Sequence, residues 1–205
     1  MATADPPQPA NRPTTDTLAA AARSAARKGP APVHLWNPPF CGDLDMRIAR
    51  DGTWFYLGTP IGRKPLVRLF ASILKREGDR FYLVTPVEKV GIKVEDAPFV
   101  AIDFEATGTG PDASIRFTTN VDEEVTAGEG HPIRVARDPG TGEPAPYVHI
   151  RAGLEALIDR KSFYRLVEIG QTQTIDGVAQ FGVWSGSTFF PFIPAAQLGA
   201  ETAGS

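Results

Sequence analysis

The feature that most constrains this chain is a repeated pentapeptide. Arg47-Ile48-Ala49-Arg50-Asp51 returns, with one conservative exchange, as Arg134-Val135-Ala136-Arg137-Asp138. Similar segments follow each copy in the same order, which indicates an internal duplication. A chain of 205 residues, 42% of them hydrophobic, can supply two small cores. The sequence therefore predicts two small domains that share one plan.

A hairpin is predicted at the first copy. Apolar and polar residues alternate from Leu44 to Ala49, and Asp51-Gly52 is a strong turn signal before a return strand at Thr53 to Leu57. In the second copy a longer Gly/Pro-rich turn separates the pentapeptide from a strand at Tyr147 to Ile150. Both copies are thus expected to begin with paired strands.

A helix is predicted after each hairpin. Pro65 suits a first helical turn, an apolar stripe runs from Leu66 to Leu74, and Gly78 is expected to end that helix. In the second copy we interpret Leu154, Leu157 and Ile158 as the counterparts of Leu66, Leu69 and Phe70. A helix is therefore expected over these residues, followed by a strand at Phe163 to Val167.

The predicted fold class is α+β, with two antiparallel sheets that each pack against one helix. The expected boundaries place a Pro/Ala-rich tail and a short helix in residues 1–30, the first domain in 31–97, the second in 98–195, and a tail in 196–205 that frays from Gly199. The short helix is predicted over Thr14 to Lys28, with Thr15, Asp16 or Thr17 as its cap.

Composition excludes several classes of protein. The net charge of -3 and the pI near 5.6 argue against a protein that binds DNA or RNA. The single cysteine, Cys41, excludes an internal disulfide, and the chain lacks the run of about 18 apolar residues that a membrane span needs. We therefore expect a cytoplasmic protein.

Charge is distributed unevenly along the chain. Residues 47–80 hold eight basic and three acidic residues, whereas residues 95–130 hold nine acidic residues and one arginine. One interpretation is that the two segments pair across an interface, since surface charges usually pair or stay solvated. The other is that the basic segment binds an anion.

An anion site would draw on the arginines of the basic segment. Arg47, Arg63 and Arg68 can offer bidentate forks to phosphate, and the loop Thr59 to Lys64 leads into a helix N-terminus with its free N–H groups. The loop matches no P-loop pattern. We nevertheless predict that this loop is the cradle that holds the anion.

Other candidate residues have two interpretations each. Trp36, Trp54 and Tyr56 could stack on a ligand ring, although large aromatics more often belong to the core. Cys41 could be a reactive thiol, although a lone cysteine is more often buried. Asp43, with Asp45 two residues later, could form a carboxylate pair or hold a cation.

Neither a metal site nor a catalytic site is complete in the sequence. No further acids or histidines stand at ligand spacing beside the aspartates, and His34, His131 and His149 are widely separated. Ser185 lacks the spacing of a nucleophile elbow. We therefore predict no metal and no catalytic residue.

Several segments carry a family resemblance, clearest in the first half of the chain. They are Leu35 to Asp43, Asp45 to Ile48, Trp54-Phe55-Tyr56, Thr59-Pro60-Ile61 and Thr85 to Lys89. These residues resemble the bacterial domain-of-unknown-function family 1285 over about residues 31–194. The resemblance implies a duplicated α+β core, a second domain similar to pleckstrin-homology folds, and a suspected nucleotide-like ligand at the domain interface with a signalling role. It implies no catalytic residue.

The sequence favours a ligand-binding or signalling module that takes an anionic, nucleotide-like small molecule. No motif in the sequence specifies a cofactor. One alternative is an enzyme that acts on a phosphorylated substrate with Asp43 or Cys41 as catalyst, and another is a protein–protein interaction module. The candidate ligand-binding residues are Trp36, Cys41, Asp43, Arg47, Trp54, Tyr56, Arg63 and Arg68.

Overall fold

The computed structural model describes residues 14–25, 31–138 and 140–198. The described residues form two compact units, one made of residues 14–25, 31–47 and 54–93, the other of residues 48–53, 94–138 and 140–198. Three predictions lie outside the described residues: the tail over residues 1–13, the basic end of the first helix at Arg27 and Lys28, and the fraying from Gly199.

The first unit is a six-stranded sheet with two helices. Its elements in chain order are α1 (Thr15–Ala25), β1 (Phe40–Ile48), β2 (Trp54–Tyr56), β3 (Thr59–Pro60), α2 (Lys64–Ser72), β4 (Leu74–Glu77), β5 (Arg80–Val84) and β6 (Lys89–Val94). The strand order is β3-β2-β1-β6-β5-β4, so the three strands before α2 join the three after it through β1 and β6. The hairpin predicted around Asp51-Gly52 is confirmed.

The N-terminal cap of helix α1 lies one residue before the predicted caps. The N–H of Thr17 donates to Oγ1 of Thr14 (3.3 Å), while the N–H of Thr14 donates to Oγ1 of Thr17 (3.0 Å), so Thr14 caps the helix. Leu18 and Ala22 are fully buried, and the helix contacts α2. Docking of α1 therefore depends on one leucine and small alanines.

Helix α2 is shorter than predicted. It ends at Ser72, and Leu74 opens strand β4, where it pairs with Leu83 of β5. Gly78, expected to end the helix, lies in the β4–β5 turn with φ of +60°. The prediction that one helix spans Leu66 to Leu74 was wrong, because a strand can bury the last apolar residue of such a stripe equally well.

The second unit contains two sheets and one helix. Its elements are β7 (Phe99–Thr107), β8 (Ser114–Thr119), β9 (Glu124–Thr126), β10 (Ile133–Arg137), β11 (Pro144–Arg151), β12 (Leu154–Ile158), α3 (Arg160–Glu168), β13 (Gln171–Ile175), β14 (Val178–Ser185) and β15 (Thr188–Pro194). Six strands form a sheet in the order β10-β11-β12-β7-β8-β9, with β12 and β7 parallel, and β13-β14-β15 form a second sheet. Strands β14 and β15 form a hairpin around Ser185-Gly186-Ser187.

The predicted register of the second helix was wrong. Residues 154–158 form β12, in which Leu154, Ala156 and Ile158 are buried in alternation, because β11 and β7 flank this strand. The helix is α3, where a strand was expected at 163–167. Asp159 caps it by accepting the N–H of Ser162 at 2.7 Å, a start signal that the sequence reading overlooked.

With this correction, the two units share one order of elements. Strands β1, β2 and β3, helix α2 and strands β4, β5 and β6 match β10, β11, β12, α3, β13, β14 and β15. The helix begins at residue 64 in the first set and at residue 160 in the second. Strand β10 contacts β15, the pair that corresponds to neighbouring β1 and β6. The fold is α+β in two domains, and the likeness of the second to pleckstrin-homology folds stays a prediction.

Candidate functional site

The first arginine of the repeated pentapeptide stacks on an aromatic ring in both copies. The Arg47 guanidinium carbon lies 4.2 Å from the centre of the Phe55 ring on β2. The Arg134 guanidinium carbon lies 4.1 Å from the centre of the Tyr147 ring on β11. Arg134 also donates two hydrogen bonds to the carboxylate of Glu155, both at 2.6 Å. Such stacking braces neighbouring strands. Arg47 therefore has a structural role that the anion hypothesis did not assign.

The final aspartate of the pentapeptide opens a turn in both copies. Oδ1 of Asp51 accepts the N–H of Thr53 at 2.9 Å, and Oδ1 of Asp138 accepts the N–H groups of Gly140 (2.9 Å) and Thr141 (3.0 Å). Aspartate is favoured there because its short side chain can bond the backbone two residues onward. The repeat is thus a strand-to-turn motif and is explained by folding alone.

Asp138 also belongs to an ion-pair network in the second unit. Nη1 of Arg50 donates to its Oδ2 at 2.5 Å, and Nε of Arg50 lies 3.2 Å from Oδ2 of Asp96. The Tyr147 hydroxyl donates to the other Asp96 oxygen at 2.7 Å. The Arg50 hydrogen bond and the two backbone amides lower the Asp138 pKa to about 2, while burial and Asp96 raise the Tyr147 pKa to about 12.

Asp138→Asn is expected to lower the free energy of unfolding of the second unit at neutral pH and to lower it less in acid. The folded-state pKa of about 2 lies below the ordinary value of 3.8, so the carboxylate adds stability above about pH 4 that is lost as the pH falls toward 2. Urea unfolding at several pH values measures the difference between the wild type and the variant. That difference should shrink steadily below pH 4.

The matched control for Asp138→Asn is Asp112→Asn, which removes an exposed carboxylate of the same unit. It should show little loss of stability at neutral pH. A stability difference for Asp138→Asn that stayed constant from pH 6 to pH 2.5 would contradict the assigned role of the Arg50 ion pair.

Two of the predicted ligand residues meet in a cavity of the first unit. The cavity has a volume of about 240 Å³ and is lined by Tyr56, Thr59, Arg63 and Leu66, with Thr15 of α1 on one side. Among the described residues, its lining includes one cation and no carboxylate. We call it the helix-entry cavity. It coincides with the cradle predicted over Thr59 to Lys64.

The helix amides are less available than predicted. Pro65 has no N–H, and the N–H groups of Leu66 and Val67 both donate to the carbonyl of Arg63, at 2.9 and 3.2 Å. No side chain caps the helix at Arg63, which is exposed. The cavity therefore offers an anion chiefly the Arg63 guanidinium and the hydroxyls of Tyr56 and Thr59.

The predicted aromatic candidates separate into different environments. Trp54 is 1% exposed and stacks on Phe70 of α2 with ring centres 6.3 Å apart, so it is a core residue and cannot stack on a ligand. Trp36 is half-buried just after the 3-10 turn Val33–Leu35. Its backbone N–H donates to the carbonyl of Val33 at 3.3 Å. Only Tyr56, also half-buried, lines the helix-entry cavity.

The predicted catalytic alternatives lie elsewhere on the first sheet. Asp43 is exposed and accepts a hydrogen bond from Arg80 at 2.6 Å. Its carboxylate lies over Gly91, where an added Cβ would stand 2.0 Å from Oδ1. Cys41 is exposed, contrary to the expectation for a lone cysteine, and its thiol donates to the Pro39 carbonyl at 3.5 Å. Neither side chain lines the helix-entry cavity.

The charged segments pair largely within their own units. The acidic residues Asp103, Glu105 and Glu123 bind Arg165, Arg116 and Arg151, all in the second unit. Asp96 of the acidic segment meets Arg50 of the basic segment. Arg68 is exposed on α2 and does not line the cavity. Ordinary ion pairing thus accounts for much of the charge asymmetry.

Two histidines that looked scattered in the sequence lie together. The rings of His131 and His149 are 5.9 Å apart, and each Nδ1 lies 3.1 Å from a backbone carbonyl, of His149 and Gly130 respectively. Nε2 of His149 also accepts the N–H of Gly153 at 3.2 Å, so both ring nitrogens of His149 are engaged by backbone groups. In the described part of the chain, no three His, Cys, Asp or Glu side chains are grouped as metal ligands.

Ser185 is buried and fully engaged in structure. Its hydroxyl donates to the carbonyl of Ala127 at 2.8 Å and accepts the N–H of Ile115 at 2.9 Å. Both bonds tie the end of β14 to neighbouring strands, so the oxygen is not available as a nucleophile. No helix in the described ranges has the length and apolarity required to cross a membrane.

The sequence reading missed a larger cavity in the second unit. It has a volume of about 560 Å³ and lies between the start of β11, the end of β12 and α3. Arg50, Asp138, Glu143, Arg160 and Tyr164 are among its lining residues. We call it the α3 groove. The repeated pentapeptide, which supplies Arg50 and Asp138, was the available signal, but it could not show that the two residues meet.

Comparison with known proteins matches both halves of the chain to domains of one family. Residues 31–97 match the model for the N-terminal domain of unknown function DUF1285, and residues 98–192 match the model for the C-terminal domain of the same family. A crystal structure of a DUF1285 family protein from Silicibacter pomeroyi DSS-3 is 66% identical with a TM-score of 0.81, covering 88% of this chain and 97% of that one.

A second crystal structure, of a DUF1285 family protein from Shewanella baltica OS155, is 30% identical with a TM-score of 0.49, covering 61% of this chain and 91% of that one. No curated protein matches the chain.

Proposed function

The chain belongs to the DUF1285 family, and from this premise we propose that it is a ligand-binding module whose first unit takes an anionic small molecule. The observation that carries the proposal is the helix-entry cavity, where Tyr56 and Arg63 meet. The biological role that we propose for such binding is the sensing of a phosphorylated metabolite.

The chemistry of the cavity favours an anion over a neutral or cationic ligand. Arg63 is the charged residue among the described residues that line it, and a guanidinium can bind two phosphate oxygens at once. The hydroxyls of Tyr56 and Thr59 can donate to the same group. A partly enclosed site strengthens these bonds relative to water.

The size of the cavity limits what enters it. Its volume of about 240 Å³ lies below the roughly 300–1,000 Å³ typical of sites that bury a drug-sized ligand. A phosphate-sized group fits inside, and the remainder of a nucleotide-like molecule would extend beyond the rim. We therefore propose recognition of the phosphate-bearing end, with less selection for the base.

Arg63→Ala is expected to abolish stabilisation by phosphorylated ligands. Thermal unfolding of the full chain is measured with inorganic phosphate, AMP and ATP over a range of concentrations. A ligand at 100 times its Kd adds about 2.7 kcal/mol, which raises the Tm of the wild type by about 5 to 10 °C. The variant should show little or no rise.

The matched control for this measurement is Lys64→Ala, which removes an adjacent exposed cation that does not line the cavity. It should keep the ligand-dependent rise in Tm. The proposal fails if none of the three anions raises the Tm, or if wild type and Arg63→Ala respond equally.

A further inference from the structure

The α3 groove occupies the same place in the second unit as the helix-entry cavity does in the first. Each lies where the third strand of the shared plan leads into the helix, beside β3 and α2 in one case and β12 and α3 in the other. The groove is more than twice as large, with about 560 Å³ against about 240 Å³. An extended ligand therefore fits it better than a phosphate-sized group does.

The charges of the α3 groove differ from those of the helix-entry cavity. Its described lining includes two arginines, Arg50 and Arg160, and two carboxylates, of which Asp138 is already held by Arg50. The second carboxylate, Glu143, forms an ion pair with Arg160 at 3.3 Å. A ligand that brings a positive charge can therefore compete with Arg160 for the carboxylate of Glu143.

Glu143 is available to an incoming cation. The side chains of Glu143 and Arg160 are 61% and 71% exposed, and ion pairs this open contribute little because water screens them. A guanidinium from a ligand can take both Glu143 oxygens at small loss. Asp138 is less free, since Arg50 and two backbone amides already occupy its oxygens.

The remaining walls of the groove are largely apolar. Pro144, Pro146 and Leu157 line one side, and Tyr164 and Val167 of α3 line the other. Tyr164 is 59% exposed and Val167 36% exposed. Exposed aromatic rings beside such walls are what bind proline-rich peptides, because proline rings pack on them and the extended peptide is already ordered.

We propose that the α3 groove binds a proline-rich, arginine-bearing peptide, and that a second copy of this chain supplies one. Residues 6–13, which lie outside the described residues, read Pro6-Pro7-Gln8-Pro9-Ala10-Asn11-Arg12-Pro13. The prolines match the walls of the groove, and Arg12 supplies the charge that Glu143 can accept. No carboxylate interrupts this segment. The groove and the segment together make an intermolecular contact.

The test uses full-length protein in which Pro6, Pro7 and Pro9 are replaced with alanine, labelled with ¹⁵N for NMR. These substitutions remove the protein's own binding segment and lie far in sequence from the strands and helix that build the groove. An unlabelled synthetic peptide of residues 4–14 is then titrated. Saturable shifts are expected for the amides of Tyr164, Val167 and Ala145, which line the groove.

Matched variants assign the contacts. Replacing Arg12 with alanine in the peptide, or Glu143→Gln in the protein, should weaken binding by about three- to tenfold, the range of one partly exposed hydrogen bond. Val178→Ala, which alters another exposed apolar side chain of the second unit, should leave binding unchanged. A peptide with its three leading prolines replaced should not bind.

Three results would overturn the proposal. They are the absence of saturable shifts in the groove, equal binding by the peptide without these prolines, and shifts confined to residues outside the groove. In the full chain with native prolines, the groove signals should change with protein concentration. Signals that changed with the tail substitutions but not with concentration would overturn the assignment to a second copy.

Discussion

Phe70→Asp is expected to unfold the first unit. Phe70 is fully buried in α2 and stacks on Trp54, which is itself 1% exposed. Removal of a buried phenylalanine alone destabilises by about 3 to 5 kcal/mol, and an unpaired buried carboxylate adds several more. The sum approaches the roughly 5 to 15 kcal/mol of total stability that a small domain has.

The unfolding of Phe70→Asp can be followed by tryptophan fluorescence and near-UV circular dichroism. Emission from Trp54 should shift to the red as its indole meets water. Phe70→Leu is the matched control, because it keeps an apolar side chain at the same position and should cost only about 1 to 2 kcal/mol. An aspartate variant with the wild-type melting temperature would show that Phe70 is not a core residue.

Gly182→Ala is expected to destabilise the second unit by about 3 kcal/mol or more. Gly182 lies on β14 at an irregularity in its pairing with β15. A Cβ at this position would stand 2.0 Å from the carbonyl oxygen of Phe190 and 2.8 Å from Cα of Pro191. Both atoms belong to the backbone, so no side-chain rotation relieves the clash and the two strands must separate.

Thermal unfolding measures the effect of Gly182→Ala as a fall in the Tm of the second unit of about 6 to 12 °C. Gly130→Ala is the control, since an added Cβ there meets no atom within 4 Å and the backbone has no positive φ. Its Tm should stay close to that of the wild type. Equal Tm values for the two variants would mean that β15 can move away from Gly182 at no cost.

The parts of the fold that the sequence predicted correctly depend on neighbours along the chain. The hairpin at Asp51-Gly52 follows from a turn signal and from alternation on both sides of it. Tyr56 and Arg63 both line the helix-entry cavity because one short strand and one loop separate them in the chain. Local geometry brings such residues together without reference to the rest of the molecule.

The errors arose where one pattern suits two structures. Leu154, Leu157 and Ile158 match a helical stripe, yet Leu154, Ala156 and Ile158 also alternate as in a strand. Pairing with β11 and β7 selects the strand. Likewise, Leu74 could extend α2 or open β4, and its pairing with Leu83 selects β4.

The candidate sites show the same division. The aromatic pattern around Trp54 allowed either a stacking platform or a core residue, and only the packing of Phe70 against it identified the core. Asp138 had no assigned role in the sequence, because its partner Arg50 belongs to the other copy of the pentapeptide. Nothing in either copy alone predicts that bond.

By itself, the sequence determined the duplication, the α+β class, the first hairpin and the loop that forms the helix-entry cavity. The tertiary structure alone decided the register of the second helix, the burial of Trp54, the Arg50 to Asp138 ion pair and the α3 groove. The reason is physical. Turns, caps and periodicity act between residues a few positions apart, whereas burial and ion pairing depend on which distant strands and helices the fold brings together.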